Sequence, residues 1–200
     1  MRRYGLYISL FVALFTSSLL TSCDEDFEEA YTLAGEWYGD FGMSYDAMVY
    51  GRPMTFRSYE SKVVFYPHHD YATYGTGTQV DFYREGPYEC MYYNFRWTIE
   101  NGVIYLRYPY EDSYLNTEIS DYALSYNQFK GYFGWTSTTF CLHKMSGYYD
   151  WSPYYDSYGW YYREGWYSPY YTRSGDSVGE GDTVKVMRIG SSLLPAGGQD

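Results

Sequence analysis

Three kinds of residue in this chain could do chemistry: a few thiols, a few imidazoles and a dense run of aromatic rings. Cys90 and Cys141 both stand in stretches that alternate apolar and polar residues. In the first, Met91, Tyr93, Phe95, Trp97 and Ile99 share one face of an extended strand, which puts Cys90 on the other. In the second, Phe140 and Leu142 face inward and Cys141 outward. Two thiols on one side of a sheet can form a disulfide if their strands are neighbours; the alternative is two free thiols covered by the carboxy-terminal segment, and the residues fit both. The imidazoles are His68, His69 and His143. No HxxxH or CxxC spacing relates them, and His68 and His69 would point to opposite faces of a strand, so an exposed loop before Asp70 explains the pair and no metal site is expected. No Gly-x-Ser-x-Gly elbow presents a nucleophile, and acidic neighbours such as Glu111 and Asp112 are not fixed across a common bond. The chain is therefore expected to be no enzyme and to need no cofactor.

The rings are the strongest feature. Residues 148–171 read YYDWSPYYDSYGWYYREGWYSPYY, with Trp151-Ser152-Pro153-Tyr154-Tyr155 nearly repeated as Tyr167-Ser168-Pro169-Tyr170-Tyr171. Pro153 and Pro169 exclude a helix interior and a central strand. Two readings stand side by side. The rings can pack on the outer sheet face where the cysteines lie, leaving their hydroxyls wet. Or they form a contact surface, because Tyr and Trp mixed with Gly, Ser and Asp give large, stiff, amphipathic area at small entropic cost. A glycan or other small ligand would stack on Trp151, Tyr154, Tyr155, Trp160, Trp166, Tyr170 and Tyr171, and an envelope protein would use the same rings as anchors.

Charge narrows the partners. The formal net charge is -11, and removing Arg2 and Arg3 with a leader takes away two positive charges to leave -13. No basic cluster offsets this excess, so a nucleic-acid partner is not expected. The leader itself is MRRYGLYISLFVALFTSSLLTS, residues 1–22, with two arginines ahead of an apolar run too short to span a bilayer. Leu20-Thr21-Ser22-Cys23 resembles the bacterial lipobox, which implies that Cys23 carries acyl chains and is the membrane attachment point. The acids of Asp24-Glu25-Asp26-Phe27-Glu28-Glu29 then read as a solvated tether over 23–32. The same stretch resembles the export signal of Bacteroidetes surface lipoproteins, which implies an outer-membrane protein facing the exterior; a periplasm-facing anchor is the alternative. Asp176-Ser177-Val178 and Asp182-Thr183-Val184 resemble the O-glycosylation sequon of exported Bacteroidetes proteins, which implies modification at Ser177 or Thr183.

These features must be positioned by an all-β domain. From about residue 33 to 147 the chain alternates apolar and polar residues between Gly, Pro and Asn-Gly breaks, with no helical period. Asn101-Gly102 marks a two-residue hairpin turn, which pairs Glu100 with Val103, Ile99 with Ile104 and Trp97 with Leu106. Further strands are expected over 35–43, 61–66, 78–83, 88–100, 117–124, 128–133 and 138–144. The aromatic segment spans 148–175, and a last strand near 182–189 with a loose tail completes 176–200. Seven or eight antiparallel strands suit an up-and-down barrel or a β-sandwich. Gly35-Glu36-Trp37 resembles the Gly-x-Trp signature of lipocalin-like barrels, in which the Trp closes one end, and Ser120-Asp121-Tyr122 resembles their Thr-Asp-Tyr motif. The resemblance implies a lipocalin-like barrel. Lys144 stands where that family has a late Arg.

Overall fold

The computed structural model describes residues 25–49, 52–108, 116–133, 138–154, 159–163 and 185–188; for Met48, Gly159, Trp160, Tyr162 and 185–188 it describes the backbone alone. A helix, α1, covers 25–33. Twelve strands follow among the described residues: β1 (Gly35–Asp40), β2 (Met43–Val49), β3 (Arg52–Pro67), β4 (Tyr74–Tyr83), β5 (Tyr88–Glu100), β6 (Val103–Arg107), β7 (Thr117–Ile119), β8 (Tyr122–Leu124), β9 (Gln128–Tyr132), β10 (Thr139–Lys144), β11 (Gly159–Tyr162) and β12 (Lys185–Arg188).

All pairings are antiparallel, and the path runs β7-β6-β5-β4-β3-β1-β10-β9-β8. Its two ends, β7 and β8, are joined by Ser120 and Asp121 alone. Three peptide steps of about 3.8 Å hold Ile119 and Tyr122 within roughly 11 Å, so the sheet must curl until its edges meet. The result is the nearly closed up-and-down barrel that the Gly-x-Trp resemblance implies, and the sandwich is excluded. The stretch 117–124, expected as one strand, is two short ones on opposite edges of the path.

Local chemistry sets the strands. Asn101 and Gly102 have φ of 54° and 70°, and the hairpin they make has the anticipated register from Glu100–Val103 to Arg96–Arg107. Alternation on β5 sends Met91, Tyr93, Phe95, Trp97 and Ile99 into the core. Gly75 and Gly77 on β4 make room for them: a Cβ on Gly77 would lie 2.3 Å from the Phe95 ring. The inner rings form a connected set, with Phe65 on Phe95 and Trp97, Trp37 on Phe129, and Phe129 on Phe140 at 4.8 Å. The rings therefore fill the barrel as a packed core. Among the described residues one carboxylate is buried in it: Asp81 accepts from Ser61 Oγ at 2.6 Å and Gln79 Nε2 at 2.8 Å, while Tyr108 donates to Gln79.

Three features depart from the sequence reading. β2 and the first half of β3 form a long hairpin, Ser44–Arg57 to Val49–Arg52, whose outer edge pairs β12. Its alternation of Met43, Tyr45, Ala47 and Val49 feeds the same core. β11 adds to the free part of β5 beyond β6. And the acidic stretch is not a solvated tether over 25–32: it is helical and fastened down. Ala30 and Leu33 are buried, and Asp26 caps the Asn101-Gly102 turn, accepting from both amides at 2.9 and 2.8 Å. Tyr122 donates to Glu29. Lys144 Nζ donates to Thr32 O at 2.9 Å and to Ala34 O, and lies 4.3 Å from the centre of the Trp37 ring. Trp37 is wholly buried, and its Nε1 donates to Leu33 O at 2.7 Å. α1, Trp37 and Lys144 thus close one end of the barrel.

Candidate functional site on the outer face

Strands β3, β4 and β5 turn a second row of side chains outward: Lys62 and Val64, Thr78, Val80 and Phe82, Cys90, Tyr92 and Asn94. So much apolar surface on one outer face needs a cover, and residues 149–154 with β11 supply it. The cover is pinned by polar contacts. Tyr149 N donates to Glu36 Oε2 at 3.2 Å, and Asn94 Nδ2 donates to Tyr154 O at 3.4 Å. Asp150 accepts from Ser152 N at 3.0 Å and so starts the short 3-10 helix Ser152–Tyr154, where Pro153 fits because its amide is not needed. Arg163 fastens the end of β11 through Tyr83 O at 2.5 Å and Gly86 O at 3.2 Å.

The rings form a plate with a buried base and an open rim. Trp151 is 1% exposed and Tyr154 9%; Tyr149 packs edge-on to Trp151 at 4.8 Å, and Tyr92 lies 5.1 Å from Tyr154. At the rim, Tyr161 is 42% exposed and Tyr59 49%. Cations flank it, with Lys62 Nζ 4.3 Å over Tyr149 and Arg84 4.8 Å over Tyr59. Burial, helped by the charges of Glu89 and Asp81, pushes the Cys90 thiol up to about 12, so it is an inert thiol at neutral pH. Burial likewise raises Tyr154 and Tyr149. The plate holds ring faces, hydroxyls and two cations, of which Lys62 is paired with Glu60 at 3.4 Å.

The expected contact rings divide. Trp151 and Tyr154 are the base of the plate, not free anchors: the outer sheet face is apolar enough to bury them. Trp160 sits in β11 opposite Met91. Tyr155, Trp166, Tyr170 and Tyr171 lie outside the described residues, as do Cys23, Ser177 and Thr183. Cys90 and Cys141 do both face outward, but β4, β3 and β1 separate their strands, and both thiols are free. Of the two, Cys90 is under the cover, while Cys141 is half-buried beside Gln128 and His143. His68 and His69 are exposed in the turn after β3, His68 stacked on Tyr74 at 5.3 Å. Among the described residues no three His, Cys, Asp or Glu side chains are grouped to hold a metal.

Tyr59, Lys62, Phe82, Arg84 and Tyr161 were not singled out by sequence. The pairing shifts between Ser58 and Glu60, a β-bulge that leaves Tyr59 out of the ladder. The alternation of Lys62 with Val63 and of Phe82 with Tyr83 was a legible sign of an outer row; its adjacency to residues 149–154 was not.

No protein-family model matches the sequence, and comparison with characterised proteins finds no match. Among solved structures, the chain is similar to a lipocalin-like protein from Bacteroides uniformis, with 15% identity, 57% of this chain and 99% of that chain covered, and a TM-score of 0.34.

Proposed function

We propose that this chain is a non-catalytic, lipid-anchored lipoprotein, attached through Cys23 and displayed at the outer surface of the outer membrane, that binds a glycan or other small ligand on its outer aromatic plate. The observation that carries this reading is the rim: Tyr59 and Tyr161 stand about half exposed above a buried base, with Lys62 and Arg84 over neighbouring rings. Pyranose rings offer apolar C–H faces that lie flat on such side chains, while hydroxyls take hydrogen bonds from the cations and exchange them with the tyrosines. The packed barrel interior favours the outer face over a barrel mouth.

The test titrates a panel of oligosaccharides into the mature protein and follows Trp fluorescence. Saturable change is expected, with Tyr161→Ala weakening it by about tenfold, a loss of roughly 1.4 kcal/mol. The same variant should leave the melting temperature unchanged. A flat response to every sugar, together with an envelope protein that co-purifies with the wild type but not with Tyr161→Ala, would overturn the glycan reading in favour of protein docking.

A further inference from the structure

We propose that the barrel end closed by α1 is a membrane-docking face, lying against a zwitterionic lipid bilayer with tyrosine rings at headgroup level. The inference rests on the lipid-anchor reading of Cys23 and adds an orientation to it. Two peptide steps of about 3.8 Å place Cys23 within roughly 8 Å of residue 25, where α1 begins. Since α1 is fastened through Asp26, Glu29, Ala30, Leu33 and Lys144, acyl chains on Cys23 would hold this end of the barrel itself at the bilayer.

The same end carries the most exposed rings, with less exposed ones such as Tyr59 and Tyr132 lying elsewhere. The four most exposed large hydrophobic side chains among the described residues are Tyr148, Tyr126, Tyr31 and Tyr71, at 84, 77, 74 and 74%. Tyr31 is on α1, Tyr126 in the β8–β9 turn, Tyr71 in the β3–β4 turn and Tyr148 just after β10. Register puts all these turns at one end: Lys144 pairs with Trp37 at the start of β1, Lys144 N donates to Asn127 O at 3.0 Å, and Ile99 N donates to Thr73 O at 2.7 Å. Phe27 is also exposed, one turn before Tyr31 and beside it on the surface of α1. The β4–β5 turn at the opposite end presents Arg84 and Glu85 instead. An aromatic ring with a polar tip is the side chain that partitions to the membrane interface. Glu25, Glu28, Asp70 and Glu100 are the exposed acids here, so anionic headgroups would be repelled and neutral ones accepted.

The test uses the full chain, processed and acylated in a bacterium and reconstituted into phosphatidylcholine vesicles. On a Cys141→Ser background, with Cys90 buried and Cys23 blocked by lipid, spin labels are placed one at a time through Tyr31→Cys, Tyr126→Cys and Glu85→Cys. Labels at 31 and 126 should become several-fold less accessible to a water-soluble nickel complex than the label at 85, and phosphatidylglycerol in the vesicles should reduce that protection. Equal accessibility at all three positions on an acylated protein overturns the docking face and leaves the anchor intact. A mature amino terminus whose mass shows no acyl group overturns the anchor, and the docking face with it. Equal protection at 31 and 126 in unlipidated protein without vesicles means a second copy covers the face, and also overturns the proposal.

Discussion

The inside of the barrel and the plate on its outer face draw on the same residue types and use them differently. Inside, Trp97, Phe65, Phe95, Phe129 and Phe140 meet other rings from several strands, and Trp97 Nε1 donates to Thr76 O at 3.0 Å. On the plate, Trp151 is equally buried but lies between a sheet face and a thin cover, and its Nε1 has no partner among the described residues. The difference shows that burial alone does not separate core from cover. What separates them is how many independent elements must move before a side chain is released.

The largest expected effect tests this contrast. Trp97→Ala should cost about 3–5 kcal/mol and unfold the barrel cooperatively, because its cavity is walled by strands that cannot collapse. Trp151→Ala should fall at or below the low end of that range, because the cover can settle or detach while the barrel stays folded. Thiol labelling measures the release: Cys90 is expected to resist modification in the wild type and react in Trp151→Ala, whereas equal resistance in both would make the plate part of the core.

A smaller effect is pH dependence, where the two regions pull in opposite directions. Burial lowers Lys144, at the α1 end, from 10.5 to about 8. The folded protein then binds fewer protons than the unfolded chain between those values, so this group makes stability rise with pH from about 8. Cys90, under the plate, is raised from 9.0 to about 12 and makes stability fall from about pH 9 upward. Tyr83 and Tyr122, raised mainly by burial, add to the fall above 10.0. Urea unfolding across this range should therefore show a climb from about pH 8 to 9, a plateau to about 10 where the two groups offset each other, and a decline beyond. Lys144→Met removes the climb and starts the decline at about 9, and Cys90→Ala turns the plateau into a climb that continues to about 10.

The smallest effect is at one atom. Trp151→Phe deletes the unpartnered buried N–H along with some contact area, and these terms oppose each other, so the net change should stay within about 1.5 kcal/mol. A loss as large as that of Trp151→Ala would show that the indole nitrogen is satisfied after all.

Much of the barrel was legible because its signals are local. Asn101-Gly102 set a register that alternation on both flanks confirmed, and β5 was bounded correctly because Gly86-Pro87 and Asn101-Gly102 bracket it. The β2–β3 hairpin escaped notice although Met43, Tyr45, Ala47 and Val49 alternate, since Pro53 and the polar residues around it argue against a central strand and only pairing with β2 decides otherwise. The helix escaped for a related reason: its acids read as solvated until Asn101, Gly102 and Tyr122 arrive from distant parts of the chain to bind them. The plate was half legible. Ring density marked the cover, and alternation on β5 marked the face beneath Cys90, but the rim rings come from strands whose proximity to the cover is set by the tertiary fold.

The two-residue link between β7 and β8 has a mechanical consequence. Thr117–Ile119 pairs with β6 and Tyr122–Leu124 with β9, so a single stretch of chain laces both edges, and Tyr132 N donates to Asp121 O at 3.0 Å beside the link. Each edge is held there by only three paired residues, so the amides of β7 and β8 should exchange with solvent ahead of those in β4 and β5. Cutting the chain between Ser120 and Asp121 would turn a continuous wall into a sheet with two free edges.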